Sequence, residues 1–79
     1  MPWYEFIWDG ENDEHLAEHG VTAEEFAEVV SNPERVEISE TSGRPIAFGP
    51  TSTGKYLACV YELFDDSTVY AITAYEAED

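Results

Sequence analysis

Apolar residues recur along this chain with two different periods. They keep a helical spacing as far as Asn32-Pro33 and alternate as on strands from Arg35 onward. Before the helical stretch, Trp3 to Trp8 reads as a short strand rich in aromatics, broken by Asp9-Gly10. Asn12 to His19 is polar apart from Leu16 and Ala17, which predicts a surface helix with Asp9 or Asn12 as its cap. His19-Gly20 ends it, because glycine accepts the left-handed conformation and a cationic imidazole suits a helix C-terminus. The next element carries the strongest local signals. Thr22-Ala23-Glu24-Glu25 matches a capping box, and Val21 with Phe26 occupies the two positions of a hydrophobic staple. Phe26, Ala27, Val29 and Val30 then supply one buried face, and Pro33 stops the helix because the residue before proline disfavours helical geometry.

The second half predicts a meander. Val36 and Ile38 alternate with Glu37 and Ser39, as on a half-buried strand, and Thr41-Ser42-Gly43 turns the chain. Pro45 to Gly49 follows with Ile46 and Phe48 on one face, then Ser52-Thr53-Gly54 turns again. Lys55 to Phe64 is apolar enough for a central strand, and Asp65-Asp66-Ser67 leads into the last, Thr68 to Ala74. Strict alternation puts Val69, Ala71 and Thr73 on one face of that strand and Tyr70, Ile72 and Ala74 on the other. The expected architecture is α+β: one strand, two short helices, then a curved antiparallel sheet of about four strands. No linker or repeat interrupts it, so residues 1–79 read as a single domain with an acidic tail, 76–79, expected to fray.

Composition sharpens this picture chiefly through charge. Eighteen acidic residues stand against three basic ones, a formal net charge of -15. Nucleic-acid binding draws its affinity from Lys and Arg that neutralise phosphates, and only Arg35, Arg44 and Lys55 are present. Such a chain is repelled by RNA, DNA and anionic membranes and attracts basic proteins, with steering that salt weakens. A hydrophobic share of 43% is too high for a disordered chain. No apolar stretch approaches a membrane span and no signal-peptide pattern opens the chain, so the sequence predicts a cytoplasmic protein.

Candidate chemistry is sparse. His15 and His19 lie four apart on a predicted helix, a spacing a metal can bridge, but no Cys/His pair elsewhere completes a closed zinc site. Capping and packing account for both histidines, and no cofactor is implied. Paired carboxylates such as Glu24-Glu25 and Asp65-Asp66 are what so acidic a chain must contain, and nothing in the pattern selects one pair for acid–base work. Cys59 sits in the apolar run Tyr56 to Tyr61 and reads as a buried structural thiol. Gly49 to Lys55 has the glycines of a phosphate loop without its ending or its helix, and reads as a hairpin turn. Trp3, Tyr4, Phe6 and Trp8 put large rings on both faces of one short strand, packing one set into the core and leaving the other for core or interface.

Taken in order, Phe6-Ile7-Trp8-Asp9, His19-Gly20-Val21-Thr22-Ala23-Glu24-Glu25-Phe26 and Asn32-Pro33 resemble the N-terminal half of the BrnT-like proteins, toxins of bacterial type II toxin–antitoxin modules. Gly54 to Glu62 looks like that family's small-residue turn and long apolar strand, and Val69 to Ala74 like its closing strand. The resemblance spans about Phe6 to Ala77 and rests on order and spacing rather than on one motif. It implies a RelE-like α+β fold, a metal-independent ribonuclease, and a neutralising antitoxin as partner. It also implies basic and polar side chains on the sheet face that bind phosphate and assist attack of the 2′-hydroxyl. His19 matches the family's His-Gly motif; with Arg44 and Lys55 it forms the candidate catalytic set.

The chain departs from the family where that chemistry would sit. The closing strand usually runs into Ala-Arg and here reads Ala74-Tyr75-Glu76; the first helix usually carries a basic residue before His-Gly and here carries Ala17-Glu18. Two readings follow: a ribonuclease toxin with weakened or lost activity, and a non-catalytic acidic module that keeps the scaffold to bind a basic partner, such as an antitoxin or a nucleic-acid-binding protein. An acidic mimic of nucleic acid is a weaker third. RNA is a partner only under the first.

Overall fold

A computed structural model describes residues 5–77. The predicted strand residues Trp3 and Tyr4 and the tail residues Glu78 and Asp79 lie outside that range. Within it the order is β1 (Glu5–Ile7), α1 (Gly10–Glu18), α2 (Ala23–Ser31), β2 (Arg35–Ile38), β3 (Pro45–Pro50), β4 (Tyr56–Leu63) and β5 (Thr68–Glu76). The α+β class is as predicted. The sheet, however, has five strands, in the order β1-β5-β4-β3-β2, and is mixed: β1 lies parallel to β5 and the other neighbours are antiparallel. The two helices explain the extra strand. They carry the chain from one edge of the sheet to the other, which leaves β1 free to pair with the last strand, and Glu5 donates its N–H to the Ser67 carbonyl at 2.7 Å.

Both helices begin on capping boxes. Asp9 accepts from the N–H groups of Glu11 and Asn12 while Asn12 accepts from the Asp9 N–H, so α1 starts two residues earlier than its polar run suggested. Thr22 and Glu25 exchange the same pair of bonds at 3.0 and 3.1 Å, as their spacing predicts. His19 is the C-cap of α1, followed by Gly20 at a φ of 71°.

The helices share one face of the sheet. Leu16 of α1, Val21, and Phe26, Val29 and Val30 of α2 close over Ala47, Leu57, Cys59, Tyr61, Val69, Ala71 and Ala74. Phe6 and Trp8 pack against this cluster, each meeting the Phe26 ring edge-on.

Three strand expectations need correction. First, Val60 pairs with Thr73 while Tyr61 pairs with Ala71, which leaves Ile72 as an extra residue in β5. This bulge resets the alternation. Ala74, not Thr73, therefore joins Val69 and Ala71 on the helix side. Second, β2 is not half-buried: all four residues are exposed, Val36 at 47% and Ile38 at 63%. Helix α2 packs on β3 and β4, and β2 overhangs beyond its reach. Third, the tail does not fray at Glu76. Glu76 sits opposite Leu57 in the ladder, and the Ala77 N–H donates to the Tyr56 carbonyl at 2.8 Å.

Candidate functional site

With the helices on one side, strand register decides what the other side presents, because directly paired residues share a face. Arg35 of β2 pairs with Phe48 of β3, Phe48 with Ala58 of β4, and Ala58 with Tyr75 of β5. The result is one row across four strands: a guanidinium, a ring, a methyl and a second ring. Ala58 is wholly buried although it belongs to no helix-side cluster, so the flanking Phe48 and Tyr75 side chains shield it. The Arg35 guanidinium lies 4.3 Å from the Phe48 ring centroid and also meets the Glu37 carboxylate at 2.8 Å. A second row, Glu37, Ile46, Val60 and Thr73, runs beside the first. Beyond it Tyr70 stacks on the exposed Phe64 with centroids 5.7 Å apart. The Tyr56 hydroxyl donates to Glu34 at 2.9 Å near the opposite end. Apolar and aromatic groups thus form the middle of this face, and among the described residues no helix covers it.

The predicted catalytic residues are distributed elsewhere. The Lys55 ammonium donates to the Gly20 carbonyl at 2.6 Å and to Glu25 at 3.2 Å. It therefore stands beside the α1–α2 turn that His19 opens, and its charge is already matched by a carboxylate. Arg44 precedes β3 at the far end, where its carbonyl accepts from Ser39. Six residues of extended chain, roughly 20 Å at 3.3–3.4 Å each, separate that end of β3 from the Lys55 end. Among the described residues the Arg44 Nε is buried with no hydrogen-bond partner. Lys55 and the His19 turn come together; Arg44 does not join them.

Around Lys55 the side chains form a latch rather than an acid–base pair. Glu25 is 5% exposed and accepts from the Thr53 hydroxyl, the Thr22 N–H and the Lys55 ammonium. The Thr53 hydroxyl, then the Thr22 amide, then Lys55 hold its carboxyl down to about 2. Glu28 accepts from the Ser52 N–H at 2.9 Å, tying the same turn to the next turn of α2. Gly54, at a φ of 92°, lets the β3–β4 turn reach across. The depression between these groups is lined by Thr22, Glu24, Glu25, Glu28, Ser52 and Thr53, and the ammonium beside it, Lys55, is already paired with Glu25. Because the folded pKa of Glu25 lies below its ordinary 4.5, its contribution to stability is complete above pH 4.5 and is lost as pH falls toward 2. Glu25→Gln keeps an acceptor for Thr22 but removes the charge facing Lys55. We expect it to cost about 1–2 kcal/mol at pH 7 and to flatten the pH dependence of urea unfolding between pH 5 and 2.

The remaining polar contacts organise turns. Asp9 accepts from the Tyr70 hydroxyl at 2.8 Å, and the Asn12 amide, followed by that hydroxyl, lowers the Asp9 carboxyl below its ordinary value. The same bond pushes the Tyr70 phenol up. Asp65 accepts from the Ser67 and Thr68 amides of the β4–β5 turn, which lower its carboxyl too. Cys59 is buried, as its apolar run predicts, and desolvation pushes its thiol up to about 12, away from nucleophilic use. His15 lines a small recess with Glu11, Asn12 and Tyr70, whereas His19 caps the helix.

No family model matches the chain, and no curated protein or solved structure is significantly similar to it. Alternation in the sequence places Ile46 and Phe48 on one face but does not show the two cross-strand rows to which they belong. The signal was present in part: a small residue, Ala58, at the centre of the most apolar strand, with aromatic residues on both neighbouring strands.

Proposed function

We propose that this chain is a non-catalytic, acidic protein-binding module on a toxin-like scaffold, and that the helix-free face of its sheet receives a basic protein. The row Arg35–Phe48–Ala58–Tyr75 carries this reading. It sets aromatic anchors at the centre of a face that no described helix covers, which is how protein interfaces concentrate their binding energy. The net charge of -15 then selects the sign of the partner. The partner that fits is antitoxin-like: small, basic, and offering apolar side chains to the two rings.

The ribonuclease reading needs cations converging where a phosphate would be held. Lys55 is matched by Glu25, Arg35 by Glu37, and Arg44 stands at the opposite end of β3. The position at which the resemblance implies an arginine carries Tyr75. This geometry favours binding over cleavage.

The two readings separate by experiment. Expressed alone in bacteria, the chain should leave growth unchanged, and the purified protein should leave single-stranded RNA intact over hours. Co-expressed with the product of the adjoining gene, a tagged chain should bring that protein down at 0.1 M salt and release it as salt rises. Growth arrest that His19→Ala or Lys55→Ala relieves would overturn the non-catalytic reading.

A further inference from the structure

The sheet ends at β2, and the outer side of that strand is built to accept another. The Ser39 N–H donates to the Arg44 carbonyl at 2.9 Å, in register with the pairs Glu37↔Ile46 and Arg35↔Phe48. In an antiparallel pair alternate residues turn their main-chain groups toward the partner strand. Arg35, Glu37 and Ser39 therefore face β3, and the N–H and C=O groups of Val36 and Ile38 point outward. The pairing of Ile38 with Pro45 fits this: proline has no N–H to give, and at that pair none is needed. The side chains of Val36 and Ile38 stand on the helix side but beyond α2, 47% and 63% exposed. An edge unpaired among the described residues, with two exposed β-branched side chains, is a template for strand addition.

Resting on the protein-binding reading above, we infer that the outer edge of β2 takes up an extended basic segment of the partner as a sixth strand. The charge around the edge specifies the occupant. Glu34, Glu37 and Glu40 are exposed along it, and Arg35 is engaged with Glu37 and Phe48. A second copy of this chain would bring the same glutamates together at -15 per molecule, so self-pairing is opposed. A strand with valine-like residues at alternate positions covers Val36 and Ile38 on the helix side. Its intervening Lys or Arg residues then lie beside Glu37 on the open face.

The test uses an acetylated, amidated decapeptide of alternating Val and Lys, and the same peptide with alternate amides N-methylated. The methylated form keeps the charge and loses the ladder. Titrated into isotopically labelled protein at low salt, the parent peptide should shift the Val36 and Ile38 amides and slow their hydrogen exchange at least tenfold. The methylated peptide should bind at least tenfold more weakly. Val36→Pro removes an outward N–H without breaking the ladder to β3 and should abolish the parent peptide's advantage. Ile38→Lys, at an exposed position that cannot unfold the protein, should weaken binding at least threefold through like charge. Equal binding of the two peptides, or unshifted Val36 and Ile38 amides, overturns the strand-addition proposal. If shifts then gather at Phe48, Ala58 and Tyr75, the protein-binding reading survives its failure; if neither surface responds, both fall. A peptide-free dimer that Val36→Pro dissolves would assign the edge to a second copy and also overturn the proposal.

Discussion

Phe26→Ala should remove about 3–5 kcal/mol of stability, a large share of the reserve of a domain this size. At roughly 0.05–0.15 kcal/mol per residue, 79 residues hold about 4–12 kcal/mol. Phe26 is fully buried and stands where three parts of the fold meet. Its ring receives Phe6 at 6.4 Å and Trp8 at 5.7 Å, both edge-on, while its helix packs on β3 and β4. Neither neighbour can collapse into the void: Phe6 is pinned by β1 pairing, and Trp8 is followed directly by the Asp9 cap of α1. The cavity term should therefore be near its upper range. Urea unfolding at 25 °C should show a large fall in midpoint with little change in slope. Phe26→Leu, which fills much of the volume, should cost less than about 2 kcal/mol. A loss below 1 kcal/mol for the alanine variant would mean that α2 settles onto the sheet without the ring.

Local chemistry explains what was legible in the sequence. The capping box Thr22–Glu25 and the stop at Pro33 act within a few residues, so α2 could be read directly, and the turns at Gly43, Gly54 and Asp65 likewise. The features that failed depend on distant pairing. Nothing near Glu5 announces that it will lie parallel to Thr68. Nothing in Thr68–Ala74 announces the bulge at Ile72, which arises in the register with β4 and moves Ala74 into the core. Val36 and Ile38 alternate as buried residues do, yet no helix reaches them. The candidate site divides in the same way. Of the candidate set His19, Arg44 and Lys55, the structure seats Lys55 on the carbonyl of Gly20, next to His19 in the chain, but gives the lysine to Glu25 and leaves Arg44 at the other end of β3. In the sequence Tyr75 stands out only as a departure from the arginine that the resemblance implies. Its role beside Ala58 exists only across strands, where a linear pattern cannot show it.

Charge links the two surfaces described above. The glutamates of β2 and its flanks lie next to the aromatic row, since Arg35 begins both the edge strand and that row. A partner whose basic strand lies along β2 can therefore extend apolar residues toward Phe48 without leaving the protein surface.

Replacing Phe48 and Tyr75 together by alanine should weaken capture of the basic partner at least about 30-fold, the equivalent of 2 kcal/mol or more. Phe48 is half-buried and Tyr75 40% exposed, so both offer ring area that a partner can finish burying. Truncation removes that area, uncovers Ala58, and releases the Arg35 guanidinium from the Phe48 face. The cost to the free protein should be smaller, since neither ring belongs to the helix-side core. Urea unfolding of the double variant should confirm that it remains folded, and titration calorimetry with the co-purified partner should report the loss. Tyr75→Phe should bind nearly as wild type, because the ring rather than the hydroxyl makes the row. Raising salt should reduce affinity by the same factor in wild type and double variant, because the acidic surface is untouched and only the apolar part has gone. An unchanged affinity would move the docking surface away from this face. An unchanged affinity that salt still weakens would mean that the partner is held by charge alone.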